Sequence, residues 1–308
     1  MNKKLCILDT DIGDDIDDAF ALYFLLNEEN AELLGVTTVF RNSLQRARMA
    51  SYLIHAFQKD IKVYPGIDDP LRAKVEDLIP PEIKAKEKLD ERGKYYLPQY
   101  LAEMDEAEVE EENAVDYLIR EIRNHPHEIT LFAIGPLTNV ATAMKKAPDI
   151  IPLIKELRIM GGEPTRRFKE WNIFCDPEAA AIVYGSGVNL SAVGLNVTMA
   201  CRLDVAYRNR LQAIHEEKYR LLSDMMQKWF AHYEFADPVM HDPLAVLSAF
   251  YPVLTFEKGK MEVGTKGELR AETYLVERGN EIAYATKVDT KTFFDVFLKV
   301  VFREKEAL

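Results

Sequence analysis

Short apolar runs alternate with stretches of helical period along the first two thirds of the chain. The runs are Leu5–Leu8, Leu33–Phe40, Ile129–Ile134, Leu157–Met160 and Leu190–Val193. Runs this short and this uniformly apolar suit strands covered on both faces. Between them lie amphipathic segments at Asp17–Leu26, Leu44–Phe57, Ala114–Arg123, Thr138–Lys146 and Pro177–Tyr184, which predict helices. Strand alternating with helix predicts an α/β fold with a mainly parallel, Rossmann-like central sheet flanked by helices. The rhythm breaks twice. Asp68–Glu112 reads as charged, proline-punctuated helix or loop, and its end, Glu103–Glu112, has seven carboxylates and no basic residue, as a solvated face would. Lys260–Val288 alternates, with turn signals at Gly264, Gly267 and Gly279–Asn280, and predicts a small C-terminal β-hairpin before a final helix over Lys291–Arg303. With no internal repeat and no Gly/Ser linker, residues 1–308 are expected to form one domain.

Charge narrows the partners. The 308 residues carry 39 Lys+Arg against 51 Asp+Glu, a net charge of −12, which repels nucleic-acid backbones and anionic lipid. The densest basic stretch, Lys84–Lys94, is interleaved with Glu87, Asp90 and Glu91, so neither nucleic acid nor membrane is an expected partner. Cys6, Cys175 and Cys201 are scattered and show no CxxC spacing, which argues against a disulfide framework and a thiolate zinc site. The apolar run Leu5–Leu8 is too short for a signal-peptide core or a membrane span, and a cytoplasmic location is expected.

Candidate chemistry concentrates after the first predicted strand. Asp9, Asp11, Asp14, Asp15, Asp17 and Asp18 put six carboxylates into ten residues between a strand and a helix. In an open α/β sheet that junction lies at the carboxyl edge, where ligands bind. Gly13 permits a tight turn, and Asp17–Asp18 fall in the first helical turn, where the dipole favours carboxylates. That effect is only about 0.3–1 kcal/mol per charge, so it does not offset the crowding, and a cation is expected. The donors are all oxygen, which points to a hard ion such as Ca2+ or Mg2+ and away from zinc.

Other segments carry weaker signals. Asp237–Pro243 sets His241 beside Asp242 immediately before a predicted helix, a pairing able to supply a general acid and a further oxygen ligand. In Glu170–Ile173, polar Glu170 and Asn172 alternate with Trp171 and Ile173, as in a short extended segment presenting two polar groups to one side; Trp171 equally suits a core position. Asp176 reads as the N-cap of a helix with Pro177 at its first position. Gly135–Pro136 is a turn that leaves the Ile134 carbonyl near the sheet edge, and Asn42 falls at the end of the strand before it.

Together these segments resemble the inosine-uridine-preferring nucleoside hydrolase family. The resemblance rests on Asp9-Thr10-Asp11 with Asp17-Asp18-Ala19, Val36-Thr37-Thr38, Ile134-Gly135-Pro136-Leu137-Thr138-Asn139, Met160-Gly161-Gly162, Glu170-Trp171-Asn172-Ile173, Asp176-Pro177-Glu178-Ala179-Ala180 and His241-Asp242-Pro243, in the family's order. It implies hydrolysis of the N-glycosidic bond of a ribonucleoside to free base and ribose, with calcium (Ca2+) at the carboxyl edge of the sheet and a dimeric or tetrameric homo-oligomer. It further implies that Asp11, Asp18, Asp242 and the carbonyl of Ile134 hold the ion, and that Asp11 takes the proton of the attacking water. Asp17, Asn42, Glu170 and Asn172 would hydrogen-bond the ribose, Met160 would line its floor, and a protonated His241 would face the departing base. These residue types suit the reaction, because C–N cleavage passes through an oxocarbenium-like state that carboxylates and amides stabilise.

Three features depart from the family pattern. Members commonly have two fewer residues between the DxD and the paired aspartates, so Asp14–Asp15 compete with Asp17–Asp18; the latter are preferred because Ala19 and the apolar helix follow directly. Arg41 stands where the family usually has Gly, and the His-Gly segment expected after the third strand is not apparent in Asp68–Tyr96. Two other readings compete. A haloacid-dehalogenase-like phosphatase with an aspartyl nucleophile accounts for Asp9 and Asp11 but leaves Glu170, Asn172 and His241 unused. A non-catalytic nucleoside- or ribose-binding protein would keep the pocket without the turnover.

Overall fold

In the computed structural model, which describes residues 3–79, 81–85, 87–205, 209, 216–233 and 237–303, the first apolar run is strand β1 (Lys4–Thr10). Its alternate side chains enter two separate cores. Cys6 and Leu8 join one cluster with Phe132, whereas Ile7 joins the other with Leu131 and Ala133. This is the two-residue period of a strand covered on both faces. The other strands are β2 (Ala31–Thr38), β3 (Lys62–Pro65), β4 (Thr130–Ala133), β5 (Glu156–Met160), β6 (Leu190–Val193), β7 (Leu254–Val263), β8 (Thr273–Leu275) and β9 (Glu281–Val288). Among the described residues they form a nine-stranded sheet in the order β3-β2-β1-β4-β5-β6-β9-β7-β8. All neighbours from β3 to β9 in that order are parallel, and β7 runs antiparallel to both β9 and β8.

The helices close both faces. Helix α1 (Asp17–Asn27) differs from the amphipathic expectation, since every one of its residues is buried. Phe20–Leu26 is apolar around the whole circumference, so the helix is enclosed by neighbours instead of presenting a face to water. It packs against α8 (His241–Leu247) and α9 (Thr290–Val301), with the rings of Phe20 and Phe297 5.7 Å apart. Helices α2 (Ser43–Ala56) and α7 (Glu217–His232) share that core. Helices α3 (Ala114–Asn124), α4 (Thr138–Lys146) and α6 (Pro177–Gly185) cover the opposite face.

The C-terminal hairpin is larger than expected. Strand β7 begins at Leu254, ahead of the alternating segment, and pairs with β9 on one side and β8 on the other. Around the acidic stretch, Glu103, Asp105, Glu106 and Glu108 are exposed while Met104 is buried beneath them. Cys6, Cys175 and Cys201 are buried and unpaired. No described helix is long and apolar enough to cross a membrane.

Candidate functional site

The strand ends bring the predicted residues to one edge of the sheet. Ile134 N donates to Asp9 O (2.8 Å) and Val39 N to Thr10 O (3.1 Å), which carries the parallel pairing past the strand ends and sets Asp11 between them. The approach is close: a Cβ on Gly135 would lie 2.7 Å from Asp11 Oδ1 and 2.9 Å from Asp11 N. Glycine is therefore required there by contact with the Asp11 carboxylate.

The buried carboxylates of Asp17, Asp18 and Asp242 bring ligand oxygens within 4.8 Å of one another, so Asp17, expected on the ribose, joins the two expected metal ligands, while Asp11 is outside this group. Asp17 and Asp18 open α1, and Asp242 stands in the first turn of α8. The Asp242 N–H donates to Asp17 Oδ2 (3.0 Å), and the Thr10 hydroxyl donates to Asp18 Oδ1. Burial and mutual repulsion raise these carboxyls: Asp18 is pushed up to about 7, and Asp11, Asp17 and Asp242 also lie well above the ordinary carboxylate range. Crowded anions of this kind either hold protons or a cation. An all-oxygen donor set fits a hard ion, so this cluster could hold a metal.

The competing aspartates are occupied elsewhere. Asp14 pairs with Arg46 (2.8 Å) and accepts from the Tyr95 hydroxyl (2.8 Å), while Asp15 Oδ1 accepts from Ile16 N (2.7 Å). Arg46 was not singled out by sequence, where it resembles any helical surface arginine, yet it is fully buried. Asp9 is also fully buried, with Oδ1 accepting from Thr37 (2.6 Å) and Asn139 (2.8 Å). An aspartyl nucleophile must be reachable by its substrate, so the phosphatase reading fails at Asp9.

The segment after β5 corrects one expectation. Glu170–Ile173 is not extended: Glu170 caps the short helix α5 (Trp171–Cys175), accepting from Asn172 N (2.9 Å) and Ile173 N (3.1 Å), and also from Gly162 N (3.1 Å). Capping of three backbone donors outweighs a four-residue alternation. Trp171 is 45% exposed, stacked on Phe174, and so is not a core residue. Asn172 Nδ2 donates to the carbonyls of Ile134 (2.8 Å) and Met160 (3.1 Å), joining three of the predicted residues. Asp176 caps α6 as expected, through Ala179 N (3.0 Å).

Asn42 and His241 have specific partners. Asn42 caps α2; its Nδ2 donates to Tyr95 O (2.8 Å) and Asp90 Oδ2 (3.0 Å), and its Oδ1 accepts from Arg92 (2.9 Å). His241 is the first residue of α8, not a residue ahead of it, and its Nδ1 lies 2.6 Å from the Thr198 hydroxyl. Burial, helped by Arg202, pushes its pKa down to about 4. This shift favours the neutral imidazole in the ligand-free protein, whereas the protonated form is expected from sequence opposite a departing base.

The profile of the family described as inosine-uridine preferring nucleoside hydrolase matches residues 6–295. The chain belongs to this family. It is 30% identical over 287 residues to a probable uridine nucleosidase 2 of Arabidopsis thaliana, covering 89% of this chain and 86% of that one. It is 32% identical over 258 residues to the pyrimidine-specific ribonucleoside hydrolase RihB of Shigella flexneri serotype 5b, covering 80% and 78%. A solved purine-preferring ribonucleoside hydrolase from Gardnerella vaginalis superposes with a TM-score of 0.82 at 26% identity over 97% of this chain and 98% of that one. As a nucleoside hydrolase, the protein is an enzyme of N-glycosidic bond hydrolysis. Arg41 has φ 58°, the left-handed region that glycine enters freely, so the backbone here suits the glycine that the resemblance implies. Its guanidinium is bidentate to Glu87 (2.9 and 2.7 Å) and stacks 3.7 Å from the Tyr95 ring centroid.

Proposed function

We propose that the protein hydrolyses ribonucleosides to free base and ribose, with Ca2+ held by Asp11, Asp18, Asp242 and the Ile134 carbonyl. The buried cluster of Asp17, Asp18 and Asp242 carries this reading through Asp18 and Asp242, and Asp11 stands near enough to Asp18 to feel its charge. Bound there, Ca2+ would fix the ribose 2′- and 3′-hydroxyls and acidify the attacking water. Asp11 is the general base. Its carboxylate, set at the strand end against Gly135, would accept the proton of the attacking water. Asp17, Asn42, Glu170 and Asn172 would bind the sugar, with Met160 beneath it, and their carboxylates and amides would stabilise positive charge developing on the ring. In this reading the ribose takes over part of the Asn42 and Asn172 hydrogen bonding now directed to protein carbonyls and carboxylates.

His241 acts in its neutral form. In the tautomer in which the Thr198 hydroxyl donates to Nδ1, the ring proton would reside on Nε2 and could be donated in a hydrogen bond to the leaving base. The buried, unpaired cysteines support a reducing, cytoplasmic compartment, and a dimer or tetramer rests on the resemblance alone.

Relatives named for uridine, pyrimidine and purine substrates make the base an open variable. A reducing-sugar assay with Ca2+ across uridine, cytidine, inosine, adenosine and guanosine tests the proposal. Release from at least one is expected. Binding without release would favour the non-catalytic reading, and neither binding nor release from any of the five would refute both.

A further inference from the structure

Arg46 on α2 is fully buried, a position that an unpaired guanidinium does not tolerate. It is satisfied on several sides. Nε donates to Phe40 O (2.8 Å), Nη1 donates to Asp11 O and, at 3.0 Å, to Ile12 O, and Nη2 donates to Asp14 Oδ2 (2.8 Å). Asp14 is fixed in turn. The Tyr95 hydroxyl donates to its Oδ1 (2.8 Å), and Gln99 Nε2 donates to the carbonyls of Asp14 (2.8 Å) and Asp15 (2.7 Å). Leu97 closes over Gly13, which has φ 120° and where a Cβ would lie 2.8 Å from Leu97 Cδ1. The Asp11–Asp15 loop is thus gripped by a guanidinium on one side and by residues 95–99 on another. It is also the chain segment that joins Asp11 to Asp17 and Asp18.

We propose that Arg46, clamped by Asp14 and Tyr95, is a positioning residue for the cation site. This rests on the cation reading of the acidic cluster. The guanidinium fixes the Asp11–Ile12 backbone through its carbonyls, and so fixes where the Asp11 carboxylate stands relative to Asp18 and Asp242. A buried cation beside a cation site would normally weaken it. Asp14 answers that, because it pairs with Arg46 and leaves the attraction of the other carboxylates for a divalent ion largely uncancelled. Lysine is no substitute, since one ammonium cannot reach three carbonyls and a carboxylate as the planar fork does.

Calorimetric titration of the whole protein with Ca2+ tests this in Tyr95→Phe, Asp14→Asn and the double variant. Tyr95→Phe changes no charge and should weaken Ca2+ binding by about 3- to 10-fold by freeing Asp14. Asp14→Asn should weaken it by about 10-fold or more, since it both loosens Arg46 and unmasks its charge. The double variant should bind no more weakly than Asp14→Asn alone, because both changes act through one hydrogen bond. A merely structural role would lower the number of sites titrated and leave the affinity of the folded molecules unchanged. Affinity within twofold of wild type in Tyr95→Phe, or losses that multiply in the double variant, would overturn the proposal. A wild-type protein that takes up no Ca2+ would instead refute the cation reading beneath it.

Discussion

Replacing Asp18 by Asn should stabilise the metal-free protein and abolish its response to Ca2+. The Asp18 carboxyl is only 4% exposed and stands within 4.8 Å of the Asp17 and Asp242 ligand oxygens. Burial pushes its pKa from 3.8 to about 7, against the Thr10 hydrogen bond and the Arg46 charge and with added repulsion from Asp15 and Asp14. Because the folded-state value is raised, the native protein holds a proton between about pH 4 and 7 that the unfolded chain has released. Stability of the metal-free protein therefore falls as pH rises through that window. The rise corresponds to roughly 4 kcal/mol at about 1.36 kcal/mol per pKa unit, an upper bound because neighbouring groups relax. Asparagine keeps an oxygen for the Thr10 hydroxyl and carries no charge.

At pH 8 in chelator, Asp18→Asn should gain about 1–2 kcal/mol once the burial of its amide is subtracted, which is a few °C in Tm. At pH 5, where wild-type Asp18 is already neutral, the two proteins should melt together. Added Ca2+ should stabilise the wild type by about 2.7 kcal/mol at 100 times its Kd and leave the variant unmoved. Thermal melts at both pH values, with and without Ca2+, give all of these quantities. A variant that melts below wild type in chelator at pH 8, or that shifts with Ca2+ as wild type does, would refute the reasoning.

Two further substitutions probe the supports of the site. In Gly135→Ala the new methyl would meet Asp11 Oδ1 at 2.7 Å and Val39 Cγ1 at 3.0 Å, so chemical denaturation should show a loss of about 1–3 kcal/mol and calorimetry a weaker Ca2+ site; wild-type values in both would contradict the contact. Glu170→Gln leaves one acceptor oxygen for three backbone N–H groups now shared between two. It should lower stability by about 1–3 kcal/mol and raise KM for the ribonucleoside, and a variant with unchanged Tm and KM would show that the cap is dispensable.

The parts of the fold that were legible in the sequence have strong periods and clear borders. Leu190–Val193 and Thr138–Lys146 coincide with β6 and α4, whereas β3, four residues opening on Lys62 and closing on Pro65, is too short to carry a period. The alternation at Glu170–Ile173 was ambiguous because the same four residues fit a capped first turn, and only Gly162, brought alongside by the turn after β5, shows what Glu170 binds. In the site, Asp17, Asp18 and Asp242 were visible as motifs despite their separation along the chain. Arg46 was not, since its burial depends on Asp14 and on residues 95–99, half a hundred positions downstream. His241 shows the same limit: its place beside Asp242 suggests a general acid, but burial and Arg202 push its pKa down to about 4.

Steady-state release of reducing sugar from the best ribonucleoside and from its 2′-deoxy counterpart, each with saturating Ca2+ and again in excess chelator, tests most directly whether the acidic cluster grips a ribose diol. The expected result is a kcat/KM at least about 10²-fold higher for the ribonucleoside, because the deoxy sugar leaves a buried polar partner unfilled, and loss of turnover on chelation. Equal turnover of the two sugars, or hydrolysis undiminished by the chelator, would contradict it.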